Sequence, residues 1–180
     1  EEAVIIFKDL VRENSVVTAG GCMTSIELGI VEILRSGVYN YIDRERPGIT
    51  PEEVQVVQRQ AFTADYFITG TNAITEKGEL FNIDGNGNRV AAISYGPKEV
   101  IVIAGSNKIV RDAEEARKRV KEISAPANAM RLDCNTPCTI DGICRNCASE
   151  KRICCTEVLT GYQRIKNRIK VIIVDGDFGF

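Results

Sequence analysis

The sequence predicts an α/β fold, a mostly parallel, twisted sheet with helices on both faces, followed towards the C-terminus by a cysteine-rich loop. Three observations carry this expectation. Apolar runs of strand length alternate with segments of helical period, the pattern that covers a parallel sheet with helices. The chain has 180 residues, 44% hydrophobic and 27% charged, the make-up of one globular domain able to bury a core without disulfide staples. No apolar run approaches the roughly 18 residues that a membrane-crossing helix needs. We therefore expect a single domain over residues 1–180, with a cysteine-rich loop at 133–156 inserted before the last strand.

The elements follow in order. Ala3 to Glu13 has helical spacing and lacks the basic start and small-residue cleavage site of a signal peptide. Val16 to Ala19 is a short strand ending at Gly20 and Gly21, and Thr24 to Arg35 is a helix stopped by Gly37. Tyr39 to Ile42 is a strand. Thr50 is an N-cap ahead of Pro51, and Glu52 and Glu53 complement the dipole of a helix running to Thr63. Tyr66 to Thr69 is a buried strand. Leu80 to Ile83 and Arg89 to Ser94 have the pattern of a hairpin turned by the Asp84 to Asn88 run. Val100 to Ala104 is the most apolar strand, hence central. Arg111 to Ser124 is an amphipathic helix closed by Pro126, and Val171 to Val174 is the last strand, leading into Asp175 to Phe180.

Composition excludes several functions. With 23 basic against 25 acidic residues, no overall field draws nucleic acid or an anionic membrane. The basic run Arg117 to Lys121 follows Glu114 and Glu115 at helical spacing, which makes it a solvated helix face. Histidine is absent, so no Ser-His or Cys-His nucleophile and no His-ligated metal exists. Seven cysteines, an odd number, with six of them clustered, suit a reducing compartment, and a cytoplasmic location is expected.

Four segments carry candidate chemistry. In Thr18 to Ser25 a strand passes through Gly20 and Gly21 into a helix, where free N–H groups and the dipole bind an anion, with Thr24 and Ser25 as further donors. The competing reading is a tight turn capped by Thr24 or Ser25. Cys22 sits where a helix N-terminus lowers a thiol pKa, or is simply inert. Thr71, Asn72, Glu76 and Asp84 follow the buried strand at Tyr66 to Thr69, where open α/β sheets place ligands. Glu76 is the candidate catalytic acid or base, whereas Asp84 also suits a plain turn. Thr71 and Glu76 are expected near Thr24, because both segments leave the same sheet edge. Asn107 and Lys108 follow the most apolar strand; Lys108 offers a cation to an anionic ligand or merely closes a turn. The fourth segment reads Cys134-x3-Cys138-x5-Cys144-x2-Cys147-x6-Cys154-Cys155. Four thiolates suit zinc or an iron–sulfur cluster equally; oxidation to disulfides and unligated thiols are the other readings. Cys134, Cys138, Cys144, Cys147 and Cys154 form the candidate set, since neighbouring side chains diverge and leave Cys155 spare.

One block resembles a known family. Ala64-Asp65 with Thr69-Gly70, then Ala73-Ile74-Thr75-Glu76-x-Gly78-x-Leu80-x-Asn82-x-Asp84-Gly85-x-Gly87-Asn88-Arg89-Val90, Gly96-Pro97, Val100 and Gly105-x-Asn107-Lys108 are similar to the LUD, or lactate-utilisation, domain proteins. These belong to the larger group of sugar-phosphate isomerase and CoA-transferase-like folds. The resemblance runs from about Gly20 to Phe180. It implies a ligand cleft at the strand ends that bear the Gly20-Gly21 and Thr71 to Glu76 loops. It also implies an association with oxidation of lactate or related 2-hydroxy acids beside iron–sulfur oxidoreductase subunits. Many such proteins lack the cysteine loop. The functional expectation is a protein of that metabolism with a small anionic metabolite as ligand, possible self-association, and no nucleic-acid or membrane partner. Two alternatives stand beside it: an isomerase or CoA-transferase-like enzyme in which Glu76 abstracts a proton or attacks, and a non-enzymatic assembly or regulatory subunit whose cysteine loop docks an iron–sulfur partner.

Overall fold

A computed structural model describes residues 1–180. The fold is α/β, with a mostly parallel sheet flanked by helices, as expected. The chain forms two compact units: residues 1–70, 91–107 and 163–179 make the first, and 71–90 and 108–162 with Phe180 the second.

The first unit is built on five parallel strands in the order β2-β1-β3-β6-β9. They are β1 (Val16–Ala19), β2 (Asn40–Ile42), β3 (Tyr66–Thr69), β6 (Glu99–Gly105) and β9 (Ile169–Val174). Residues Val100 to Gly105 of β6 are buried without interruption, the mark of a strand covered on both faces. Alternate residues Val17, Tyr66, Ile68, Ile101, Ile103 and Ile172 share one face of the sheet. They pack with Phe7 and Val11, at and just beyond α1 (Glu2–Leu10), and with Ile30 and Leu34 of α3 (Ile30–Arg35). Each such fully buried side chain stabilises the fold by roughly 1.5–3 kcal/mol. The region expected as one helix from Thr24 is two, α2 (Met23–Glu27) and α3, because Gly29 adopts φ 71° between them and turns the axis. Helix α4 (Pro51–Gln60) carries the foreseen cap as a full capping box: Glu53 N–H donates to Thr50 Oγ1, and Thr50 N–H donates back to the Glu53 carboxylate.

The second unit holds a four-stranded sheet, ordered β7-β4-β5-β8. Its strands are β4 (Ala73–Thr75), β5 (Leu80–Asp84), β7 (Ile109–Val110) and β8 (Thr156–Thr160). Here β5 runs antiparallel to both β4 and β8, and β7 is parallel to β4. Helices α6 (Ala113–Arg119) and α7 (Ala125–Arg131) are joined by a π-helical turn at Val120–Ser124. Ala116, Val120 and Ala125 pack on Ala73 and Phe81.

Three expected features are corrected. Residues 89–94 are not the second strand of a hairpin: they lie in helix α5 (Asn88–Ser94). Asp84 accepts the Arg89 N–H at 2.9 Å, and the Arg89 guanidinium bonds Asn82, Asn72 and the Ile83 carbonyl. Val90 and Ile93 are both buried, the i, i+3 spacing of one helix face. Nor does Pro126 end a helix. It stands in the first turn of α7, and the wide π turn ahead of it removes the clash a proline ring makes with the i−4 carbonyl. The cysteine-rich stretch is not wholly loop, for it contains the short helix α8 (Cys138–Asp141), closed by Gly142 at φ 76°.

Candidate functional site

In the first unit the chain passes from β1 to β2 on one side and returns to β3 on the other. Connections that leave neighbouring strands in opposite directions open a crevice at the strands' carboxyl ends. Two segments with glycines meet there. Gly20 N–H donates to Ile68 O at 2.8 Å, and Gly70 faces Cys22 so closely that a Cβ on Gly70 would sit 2.8 Å from Sγ. The Cys22 thiol accepts the Ser25 N–H at 3.4 Å, so Cys22, rather than Thr24 or Ser25, caps α2. A pocket opens beside it, lined by Gly20, Cys22, Ser25, Tyr41, Arg44 and Glu45 among others. Its tight interior is about 20 Å³, the room of one water or one carboxylate oxygen.

The polar groups of this pocket are unequal. Ser25 is 3% exposed and its hydroxyl has no hydrogen-bond partner, an uncommon state for a buried polar group. Arg44 brings its guanidinium against Gly21, where a Cβ would come within 3.0 Å of Nη2, and it pairs with Glu45 at 3.1 Å. Burial, reinforced by Asp43 and Glu45, pushes the Tyr41 phenol up, so it remains a donor. Thr24 is fully buried and donates its hydroxyl to Phe178 O at 3.0 Å. Around it the final residues are fastened: Gly179 N–H donates to Glu27, Asn107 donates to Gly179 O, and Gly176 N–H donates to Ser106. Arg44, Tyr41 and Cys22 were not among the expected ligand-binding residues. Arg44 lies beyond β2, and only the strand order brings it to Gly21.

The remaining sequence candidates lie in the second unit, and they do not form one cluster. Glu76 is exposed in the turn after β4, its N–H bonded to Val110 O. Thr71 is buried and donates to the Ala73 and Phe81 carbonyls at 3.1 Å. Asn72 and Asp84 belong to the network around buried Arg89: Asn72 Oδ1 accepts from Ile83 N–H and from Arg89, and Asp84 is ion-paired to Arg89 at 3.7 Å. Lys108 is 3% exposed, in the turn between β6 and β7.

The cysteines gather around a second pocket. Cys138, Cys144, Cys147 and Cys154 line it, together with Ala125, Ala129, Arg145, Arg152 and Ile153. Its tight interior is about 20 Å³, and the open mouth brings the space between its atoms to about 370 Å³. All seven cysteines are free thiols, and no three of the Cys, Asp and Glu side chains are drawn together tightly enough to chelate one ion. Cys134 is not in the lining; burial pushes its thiol up and neighbouring Cys138 adds to this. Cys154 faces the pocket while Cys155 is exposed, its thiol directed at Arg152 O. Arg152 Nη1 donates to Cys147 O and Nη2 to Cys154 O, both at 2.6 Å, and Nη2 also reaches Cys154 Sγ at 3.5 Å.

No helix of the chain is long and apolar enough to cross a membrane. None of the curated proteins matches the sequence. Among solved structures, a DUF162 family protein from Deinococcus radiodurans is similar at 18% identity and TM-score 0.48, over 97% of this chain and 82% of its own. Ribose 5-phosphate isomerase from Plasmodium falciparum is similar at 18% identity and TM-score 0.36, over 61% and 52%. Ribose 5-phosphate isomerase A from Methanocaldococcus jannaschii is similar at 17% and 0.37, over 70% and 64%. A sequence model of the LUD domain matches residues 1–174, nearly the whole length, and the chain therefore belongs to the LUD domain family.

Proposed function

We propose that this chain serves the oxidation of lactate or a related 2-hydroxy acid, holding the small carboxylate in the pocket at the carboxyl ends of β1 and β3. The cysteine-rich segment of the second unit then binds a metal ion or an iron–sulfur cluster. Membership of the lactate-utilisation family supports the metabolic setting, and iron–sulfur oxidoreductase subunits in the cytoplasm are the partners that setting implies.

One observation carries the ligand reading: the buried, unpartnered hydroxyl of Ser25 lines the same pocket as the Arg44 guanidinium. A 2-hydroxy carboxylate matches that pair. One carboxylate oxygen fits the tight interior and meets the cation, while Ser25 and the protonated Tyr41 are in place for the 2-hydroxyl. Glu45 works against this, since it already neutralises Arg44 at 3.1 Å. Calorimetric titration with lactate, and with propionate as the analogue lacking the hydroxyl, tests the reading. Lactate should bind and propionate bind more weakly. Arg44→Ala should cost roughly tenfold or more in affinity, the scale of a charged hydrogen bond, and Glu45→Gln should tighten binding. Lactate that fails to bind, or binds the Arg44→Ala and Ser25→Ala proteins as well as the parent, would refute it.

A further inference from the structure

The cysteine pocket admits a more specific statement, which rests on the reading that this segment is a metal or cluster site and names its occupant. A single zinc needs four sulfurs at about 2.3 Å from one point, tightly converged. Cys138, Cys144, Cys147 and Cys154 stand around the wall of a pocket, and no three of the potential ligands are gathered for one ion. A cluster offers several metal corners, each taking one cysteine, so its ligands need not converge on one point as those of a single zinc must.

The rest of the wall agrees with this. Ala125, Ala129 and Ile153 make it apolar, and a dry wall suits an iron–sulfur core. Arg152 adds the independent observation. Its two terminal nitrogens are committed to the carbonyls of Cys147 and Cys154, which fixes the guanidinium plane, yet its Nε–H is buried with no acceptor. A buried donor held rigidly and left without a partner marks a missing acceptor. Cluster sulfide is an acceptor of that kind, and hydrogen bonds to cluster sulfurs are a recurring means of tuning such centres. Arg145 lines the same pocket, but its guanidinium is paired with the Asp141 carboxylate, so Arg152 is the cation that offsets the negative charge four thiolates bring.

We infer that this pocket binds an iron–sulfur cluster through Cys138, Cys144, Cys147 and Cys154, with Arg152 as a positioning residue that donates Nε–H to it. Cys134 and Cys155 are not ligands, the first outside the lining and the second turned to solvent. Ligation releases the four thiol protons and needs iron and sulfide supplied by the cell's cluster-assembly chemistry or by reconstitution.

The full chain should be purified without oxygen, reconstituted with ferrous iron and sulfide, and separately offered zinc. Iron, acid-labile sulfide and zinc are then counted and the visible spectrum recorded. The inference expects about two or about four irons per chain with equal sulfide, the contents of the four-cysteine cluster types, and a broad visible absorption. That absorption should vanish in each of Cys138→Ser, Cys144→Ser, Cys147→Ser and Cys154→Ser. It should persist in Cys134→Ser and Cys155→Ser, which also guards against losses caused by misfolding. Arg152→Gln should keep the iron but shift the reduction potential downwards. One tightly held zinc per chain and no uptake of iron and sulfide would overturn the cluster while leaving a cysteine-ligated site. Uptake of neither would overturn both, and loss of the spectrum in Cys134→Ser with retention in one of the four would overturn the ligand set.

Discussion

Arg168 illustrates how one side chain can hold several backbone groups. It is 5% exposed, and its guanidinium donates to Pro97 O at 3.2 Å, Ile93 O at 2.7 Å and Ala92 O at 3.0 Å. Two of these carbonyls belong to the last turn of α5, which has no intrahelical donors to offer them. Burial pushes the guanidinium pKa down, yet arginine starts so high that it stays charged. Arg168→Met retains the aliphatic packing and orphans three buried acceptors. It should lower unfolding stability by about 2–4 kcal/mol in a denaturant titration; a change below about 0.5 kcal/mol, the range of an ordinary surface substitution, would show that water replaces the guanidinium. Asp65 acts similarly on β1, accepting Lys98 Nζ at 2.7 Å and Val16 N–H at 3.0 Å. The Lys98 hydrogen bond first, and that from Val16 second, hold its carboxyl below the usual range. A depressed carboxyl pKa contributes stability above its unfolded value of about 3.9, and that stability is lost as pH falls through the folded value. Asp65→Asn should therefore melt lower than the parent at pH 7, with the gap closing between about pH 5 and pH 2. A gap independent of pH would assign the effect to packing instead.

At the scale of elements, legibility follows the strength of the local signal. β3 and β6 were readable because Tyr66 to Ile68 and Val100 to Ala104 are unbroken apolar runs, and both runs proved buried along their length. The capping box of α4 was readable because Thr50, Pro51 and Glu53 each act on their own backbone neighbours. The second sheet was mostly hidden. β4 and β7 span three and two residues, too short for any periodicity, and β8 alternates only weakly because it is half exposed. α5 was misread because Asp84 to Asn88 carries turn chemistry suited to a hairpin. What decides for a helix is Arg89 reaching back seven residues to Asn82 and seventeen to Asn72, side-chain contacts that the apolar period of the run does not encode. The same distinction applies to the sites. The Gly20-Gly21 turn was legible at the end of β1, but Arg44 came to it only through the order β2-β1-β3. Cysteine spacing announced a cluster of thiols, and the folded chain sorts Cys154 from Cys155.

Across the whole molecule, backbone protection should be very uneven. β6 is hydrogen-bonded on one side to β3 and on the other to β9, with Val100 to Gly105 buried, so its amides open only with unfolding of the sheet. Residues 142–150 contain no helix or strand, and Ile143 N–H bonds only to the Asp141 carboxylate. Amide hydrogen exchange should therefore be slowest in β6, by roughly a thousandfold or more relative to 142–150, the factor expected when opening requires global rather than local free energy. Loading the cysteine pocket then supplies a discriminating second measurement. A centre that binds the folded segment and not the open one stabilises it by mass action, so exchange should slow across 134–155 on reconstitution. β6 is the internal control: its ladder involves none of these cysteines, and its rates should change far less. Slowing confined to β6, or no slowing near the cysteines in protein that carries a stoichiometric centre, would mean that the centre is held by side chains that were already ordered before it arrived.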